Sequence, residues 1–265
     1  MTNLIIDQQT YEIEAILFDK DGTLLEFLEL WGRFAERMTM QVIDQISSMG
    51  GELLGLDPSK LLGIEMDETG RLTGYDIQGP LSIGSMPEIE AILAWQLYRC
   101  GLTWNEAITR IREFQKQASV EMERERPAVP IHGLIDFLEQ CEKLQLPLCV
   151  VTADYTQEAK KHLSWIHSDH YFREIIGSDQ VTVGKPYPEM IHTACQRIGV
   201  SPAKVALIGD TNGDMQMGKA AGVAVTIGMS KNLAGSGRLY QADYMISTYN
   251  QLTLSVTRLS SDPRD

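Results

Sequence analysis

No stretch of the chain approaches the ~18 consecutive apolar residues that a membrane-spanning helix needs, and the first residues carry acids rather than a basic leader. A cytoplasmic location is expected. Cysteine is scarce: Cys100, Cys141, Cys149 and Cys195 show no CxxC spacing and suggest neither a zinc ribbon nor a disulfide framework. Cys149 lies in an apolar run, where a buried thiol is expected. Positive charge is also short, with 23 Lys plus Arg against 36 Asp plus Glu and a formal net charge of −13. So acidic a surface repels phosphate backbones and anionic lipid, so neither nucleic acid nor a membrane is expected as a partner. Glycine and proline show no low-complexity excess, at 22 and 10 of 265 residues. What remains, 43% hydrophobic and 22% charged, is ordinary for one large or two modest globular domains.

Short runs rich in Ile, Val and Leu occur at 13–18, 146–152, 204–209 and 222–227, separated by helix-patterned stretches. The alternation predicts βαβ units in an α/β fold with a doubly wound parallel sheet. Residues 131–144 form an amphipathic helix pattern, Asp154 with Gln157 resembles a capping pair before a helix at 158–165, and Pro188 suits the first turn of a helix at 190–198. Between residues 26 and 127 the rhythm changes. Phe27, Leu30, Phe34, Met38, Val42, Ile46 and Met49 recur every three or four residues, predicting one long amphipathic helix. Thr103 with Glu106 forms a capping box that opens a helix to about Glu121, preceded by another near 88–99. Asp57-Pro58 and the Gly-rich segment 70–84 supply turns and loops. A helical domain at 26–127 is thus expected to interrupt an α/β core made of residues 1–25 and 128–265.

The chemistry gathers at strand ends. In Phe18-Asp19-Lys20-Asp21-Gly22-Thr23, residues two apart share a side of extended chain, so Asp19 and Asp21 face one site and can divide labour as nucleophile and acid/base. A plain Asp-Gly turn is the bland alternative. A second strand ends in Gly209-Asp210 and reaches Asp214 as a helix begins. Four gathered carboxylates demand a cation, and oxygen-only donors point to a hard one, Mg²⁺. An EF-hand loop is disfavoured by Met215 and Ala221, and a Walker A loop by Ala220, although Gly213, Gly218 and Lys219 match it in part; a helix start capped by Asp210 or Asn212 is the third rival. Thr152 ends another strand at a helix N-terminus suited to a phosphate oxygen, unless it and Asp154 serve only as caps. Lys185 sits in the rigid loop Gly184-Lys185-Pro186-Tyr187-Pro188, where it can offset phosphoryl charge or simply be solvated.

Taken in order, Asp19-Lys20-Asp21-Gly22-Thr23, Thr152, Lys185 and Gly209-Asp210-x-x-x-Asp214 resemble the four motifs of the haloacid dehalogenase (HAD) superfamily. The helical insert resembles a subfamily I cap, as in phosphoglycolate phosphatases and β-phosphoglucomutases. The resemblance implies a Rossmann-like doubly wound core with an inserted α-helical cap, and Mg²⁺-dependent hydrolysis of a small phosphorylated metabolite through an aspartyl-phosphate. It assigns Asp19 as nucleophile, Asp21 as acid/base, and Thr152 and Lys185 to the phosphoryl group. It places Mg²⁺ on Asp19, the Asp21 carbonyl and Asp210, with Asp214 in support.

Retention of Asp21 departs from the dehalogenase and phosphonatase patterns. Gly209 stands where the β-phosphoglucomutase branch carries an acid, which favours hydrolysis over mutase-like phosphoryl transfer. A non-catalytic HAD-like metabolite-binding protein is the remaining alternative. Glu26, Trp31, Arg33 and Arg37 are candidate leaving-group contacts, each more readily explained by packing or solvation. His162, His167 and His170 match no zinc pattern and read as surface residues, whereas Met38, Met40, Met49 and Met66 read as cap core.

Overall fold

The structure is a computed structural model that describes residues 2–51, 58–68, 72–231 and 239–256. The turns expected at Asp57 and Gly70 lie outside the described residues. Strands β1 (Thr2–Ile6) and β2 (Gln9–Ile13) form a hairpin closed by Asp7 and Gln8, both left-handed at φ 47° and 65°, and β3 (Ala15–Phe18) follows. A π-helical turn at Leu28–Gly32 leads into α1 (Arg33–Ser48), then β4 (Ile64–Met66), β5 (Leu72–Tyr75), α2 (Pro80–Ile83), α3 (Met86–Arg99) and α4 (Trp104–Glu125). The chain continues through α5 (Leu134–Lys143), β6 (Leu148–Val151), α6 (Thr156–Trp165), β7 (Glu174–Ile176) and α7 (Glu189–Ile198). It ends with β8 (Val205–Gly209), α8 (Asn212–Ala221), β9 (Val225–Met229), β10 (Tyr244–Ile246) and β11 (Thr253–Val256). Among the described residues no helix is long and apolar enough to cross a membrane. The chain divides into two compact units, Met1–Leu25 with Pro130–Asp265, and Glu26–Val129.

In the first unit six parallel strands lie in the order β10-β9-β8-β3-β6-β7. From the central β3 the chain builds outward through β6 and β7, then returns to the other side of β3 with β8. Such a switch in strand order opens a crevice at the strands' carboxyl ends, the usual ligand site of an open α/β sheet. Alternation along β3 feeds two layers. Ala15 and Leu17 pack with Met190, Ile191 and Ala194 of α7 and Met217 of α8. Phe18, on the opposite side, meets Tyr249 at a ring separation of 6.2 Å, and Tyr249 in turn meets Phe137 of α5 at 5.3 Å. With both faces covered, the strands read as continuous apolar runs, as in all four residues of β3 and β6. A separate antiparallel sheet, β11-β1-β2, sets β11 beside the first hairpin.

In the second unit α1, α3 and α4 pack against one another. They bury Phe34, Met38, Val42 and Ile46 of α1 with Leu93 and Leu97 of α3 and Ile111 of α4. Thr103 and Glu106 form the expected capping box, and Ser85 with Glu88 forms a second one ahead of α3. Two expectations need correction here. Met40 is 57% exposed because it lies on the side of α1 opposite residues 34, 38, 42 and 46, and Met49, although in line with them, sits past the last turn of the helix and is 36% exposed. The antiparallel pair β4-β5, unforeseen in an all-helical insert, is held partly by Tyr75 stacking on Phe27 at 4.1 Å.

Candidate active site

Three neighbouring strands of the core, β8, β3 and β6, end together and deliver Asp210, Asp19 and Thr152 to one edge of the sheet. The Asp19 amide donates to the Ile208 carbonyl at 2.9 Å, continuing the β3–β8 ladder one residue past the strand. Asp19, Asp210 and Asp214 are all buried, and a carboxylate oxygen of each lies within 4.8 Å of the others. Lys185 Nζ reaches Asp19 Oδ1 and Asp214 Oδ1, both at 2.6 Å. This lysine is therefore no solvated loop residue; its side chain is 13% exposed.

The local sequence explains how the carboxylates are aimed. Helix α8 is capped by Thr211 rather than by Asp210 or Asn212, which correct the rival reading. Asp214 closes a reciprocal capping box, its Oδ2 accepting from the Thr211 amide at 3.0 Å and the Thr211 hydroxyl at 2.5 Å. That hold leaves Oδ1 turned to Lys185. Thr23 Oγ1 faces Asp210 Oδ1 at 3.5 Å. Glycine is needed at two points. A Cβ on Gly22, at φ 79°, would fall 2.0 Å from Asp210 Oδ2, and one on Gly209 would fall 2.4 Å from Asp214 Cβ. The partial Walker A match dissolves. Lys219 pairs with Asp243 at 2.6 Å, and a Cβ on Gly218 would press into Thr226 and Leu207 at 2.6 and 2.8 Å.

Burial, only partly opposed by Lys185 and reinforced by Asp214, pushes Asp19 up to about 6. Burial, then Asp19 and Asp214, push Asp210 well above the usual carboxylate range. Burial pulls Lys185 down, but Asp19 and Asp214 outweigh it and hold its ammonium above the ordinary value. One ammonium does not neutralise three buried acids. An all-oxygen donor set with residual negative charge fits a hard divalent cation.

Asp21 and Thr152 occupy the same edge in different ways. Thr152 is 1% exposed, pairs its amide with the Ile176 carbonyl at 3.0 Å, and accepts from the Asp154 amide at 3.2 Å. Asp21 is held by Lys20, whose Nζ lies 2.9 Å from Asp21 Oδ1, 2.9 Å from His162 Nδ1 and 3.0 Å from Asp154 Oδ2. Sequence reasoning missed this cluster. His162 is 2% exposed, on the face of α6 that also buries Ala159; of the three histidines expected at the surface, only His167 and His170 are exposed. Asp154 does not cap α6 with Gln157. The helix begins one residue after Tyr155, and the Thr156 amide donates to Asp179 Oδ1 at 2.8 Å. Burial raises Asp154, but Lys20 and His162 prevail and hold it at about 2. Burial and the neighbouring Lys20 lower His162.

In the second unit, Arg33 pairs with Glu29 at 3.2 Å, Arg37 with Glu121 and Glu125 at 3.0 and 2.8 Å, and Trp31 lies edge-on to Phe34. The Glu26 amide donates to the Val129 carbonyl at 2.8 Å.

Comparison with known proteins places this geometry. The chain is 28% identical over 158 residues to the Dickeya dadantii protein named Probable phosphatase IndB, covering 58% of this chain and 68% of that protein. It is 28% identical over 133 residues to the phosphorylated carbohydrates phosphatase of Thermotoga maritima, covering 50% and 59%. It is 32% identical over 120 residues to the phosphoglycolate phosphatase of Escherichia coli, covering 44% and 47%. The alignments thus span about half to two thirds of these relatives' lengths. Among solved structures, one from Haemophilus somnus 129pt described as a predicted phosphoglycolate phosphatase matches with a TM-score of 0.62 at 16% identity, over 89% of this chain and 95% of that one. CbbY from Rhodobacter sphaeroides, in complex with phosphate, matches with a TM-score of 0.55 at 18% identity, over 89% and 94%. At such identities the likeness is one of fold. The family model described as haloacid dehalogenase-like hydrolase matches residues 13–222, and the chain belongs to that family.

Proposed function

We propose that the protein is a Mg²⁺-dependent phosphatase that hydrolyses a small phosphomonoester metabolite through an aspartyl-phosphate on Asp19. The observation that carries this reading is the buried Asp19–Lys185 ion pair beside Asp210 and Asp214. A carboxylate nucleophile must approach a phosphoryl group that is itself anionic, so positive charge has to be concentrated where the two meet. Asp19, Asp210 and the Asp21 carbonyl would hold Mg²⁺, with Asp214 supporting them directly or through water. When bound, the ion supplies charge that offsets the phosphoryl oxygens.

Lys185 and Thr152 bind the phosphoryl oxygens and orient phosphorus toward the Asp19 carboxylate. Asp19 forms the new bond to phosphorus as the ester bond breaks, and Asp21 gives its proton to the departing oxygen. Asp21 then takes a proton from the water that attacks the aspartyl-phosphate, which returns Asp19 and releases inorganic phosphate. Relatives named as phosphatases of phosphoglycolate and of phosphorylated carbohydrates support a small phosphomonoester as substrate. Gly209 stands where the β-phosphoglucomutase branch carries an acid, which favours hydrolysis over phosphoryl return.

The test is inorganic phosphate release from a panel of phosphorylated metabolites, with Mg²⁺ and with chelator. Chelator-sensitive release is expected. Isomerisation of a sugar phosphate without free phosphate, or tight binding without turnover in Mg²⁺, would overturn the reading.

A further inference from the structure

Lys20 stands between the two aspartates of the first strand end, and its side chain is fully buried. An ammonium removed from water is destabilising unless it is closely paired. Its partners come from two separate places in the sequence. Asp21 follows β3, whereas Asp154 and His162 belong to the turn after β6 and to α6. Asp154 is itself fixed, its Oδ1 accepting from the Tyr155 amide at 2.8 Å while its own amide donates to Thr152 Oγ1. His162 is buried against Trp165 at a ring separation of 4.8 Å. Its Nδ1 lies 2.9 Å from Lys20 Nζ and 3.5 Å from Asp154 Oδ2, and its Nε2 lies 3.9 Å from Glu158 Oε2.

A lone lysine and aspartate on one turn would rotate together. Here the ammonium is clamped from the neighbouring strand end, so the Asp21 carboxylate is tied to the same rigid edge that carries Thr152. We infer that Lys20 is a positioning residue, clamped by Asp154 and His162, that holds the Asp21 carboxyl group where, in its acid form, it gives its proton to the leaving oxygen. This rests on the reading of Asp21 as the acid/base of a phosphatase.

The experiment exploits the leaving group. p-Nitrophenolate departs as a stable anion and needs no proton, whereas an alkoxide must be protonated as the ester bond breaks. Wild type, Asp21→Asn, Lys20→Met, His162→Leu and His162→Gln are compared on p-nitrophenyl phosphate and on an alkyl phosphate. The readouts are the single-turnover rates of ester cleavage on each substrate, with steady-state kcat beside them. For Asp21→Asn, Lys20→Met and His162→Leu, the single-turnover rate on the alkyl phosphate is expected to fall ~100-fold or more, the size of a lost general acid. The single-turnover rate of p-nitrophenolate release should stay within about threefold of wild type, because that step needs no proton, whereas steady-state turnover also falls on both substrates where the water is no longer activated. His162→Gln keeps an acceptor for Lys20 and should recover much of the loss. Should Lys20→Met not fold, the His162→Leu and His162→Gln pair decides alone.

Equal losses of the single-turnover rate on both substrates in Asp21→Asn overturn the underlying reading and the inference with it. If Asp21→Asn shows the split while the Lys20 and His162 variants keep full activity or lose both substrates alike, the positioning role is overturned and the phosphatase reading stands.

Discussion

At the scale of single residues, Asp19 and Asp154 lead to separable outcomes. Asp19→Asn keeps the shape but removes the anionic nucleophile, so turnover should drop below detection while circular dichroism and melting remain native. Wild-type-like turnover in that variant would sink the mechanism. Asp154 bears on stability through pH. Its carboxyl is held at about 2, below the ordinary 3.8, so the folded state binds fewer protons than the unfolded chain between those values. The resulting stabilisation is fully present above about pH 5 and is lost as pH falls through about 4 toward 2. Asp154→Asn should cost on the order of 2 kcal/mol at neutral pH, with the difference from wild type closing in acid, as followed by denaturant unfolding. A gap unchanged down to pH 3 would show that the Lys20 partnership contributes little.

At the scale of elements, the turn from β8 into α8 is the tightest joint of the site. Gly209→Ala places a methyl 2.4 Å from Asp214 Cβ, an atom too near the α8 backbone to swing aside. Overpacking of this kind typically costs about 1–3 kcal/mol, and here it also turns the Asp214 carboxylate away from Lys185. Melting temperature and Mg²⁺ affinity should fall together, which calorimetry and titration would read. Legibility in the sequence divides along the same lines. Strands β3, β6, β8 and β9 were readable because burial on both faces leaves continuous apolar runs, and α1 and α4 because one face repeats every three or four residues. The edge strands β7, β10 and β11 are three or four residues long, too short for a period to register. The β1–β2 hairpin turns on Asp7-Gln8, without the Asn-Gly or Asp-Gly pair that usually announces such a turn. Asp19, Asp210 and Asp214 were legible from spacing along their own elements. The Lys20–His162 contact joins residues 142 apart, and nothing in either local segment records it.

At the scale of the whole molecule, the cation should couple to folding. Mg²⁺ at ~100 times its dissociation constant should stabilise the protein by about 3 kcal/mol, with chelator reversing the effect and Asp210→Asn abolishing it; a melting temperature insensitive to both would deny the site a metal. The two units also make a prediction. Each has its own buried core, so a chain with residues 26–129 replaced by a short loop should still melt cooperatively and retain that Mg²⁺ shift. The crossing between units makes the replacement feasible: Leu25 bridges Pro130, and the Glu26 amide meets the Val129 carbonyl one residue further along. Entry and exit of the insert are thus neighbours, like the two margins of a parenthesis. Any domain whose own termini adjoin can be spliced between them without redrawing the sheet, so recombination can exchange the whole insert while the strand ends that carry the acids are inherited unchanged.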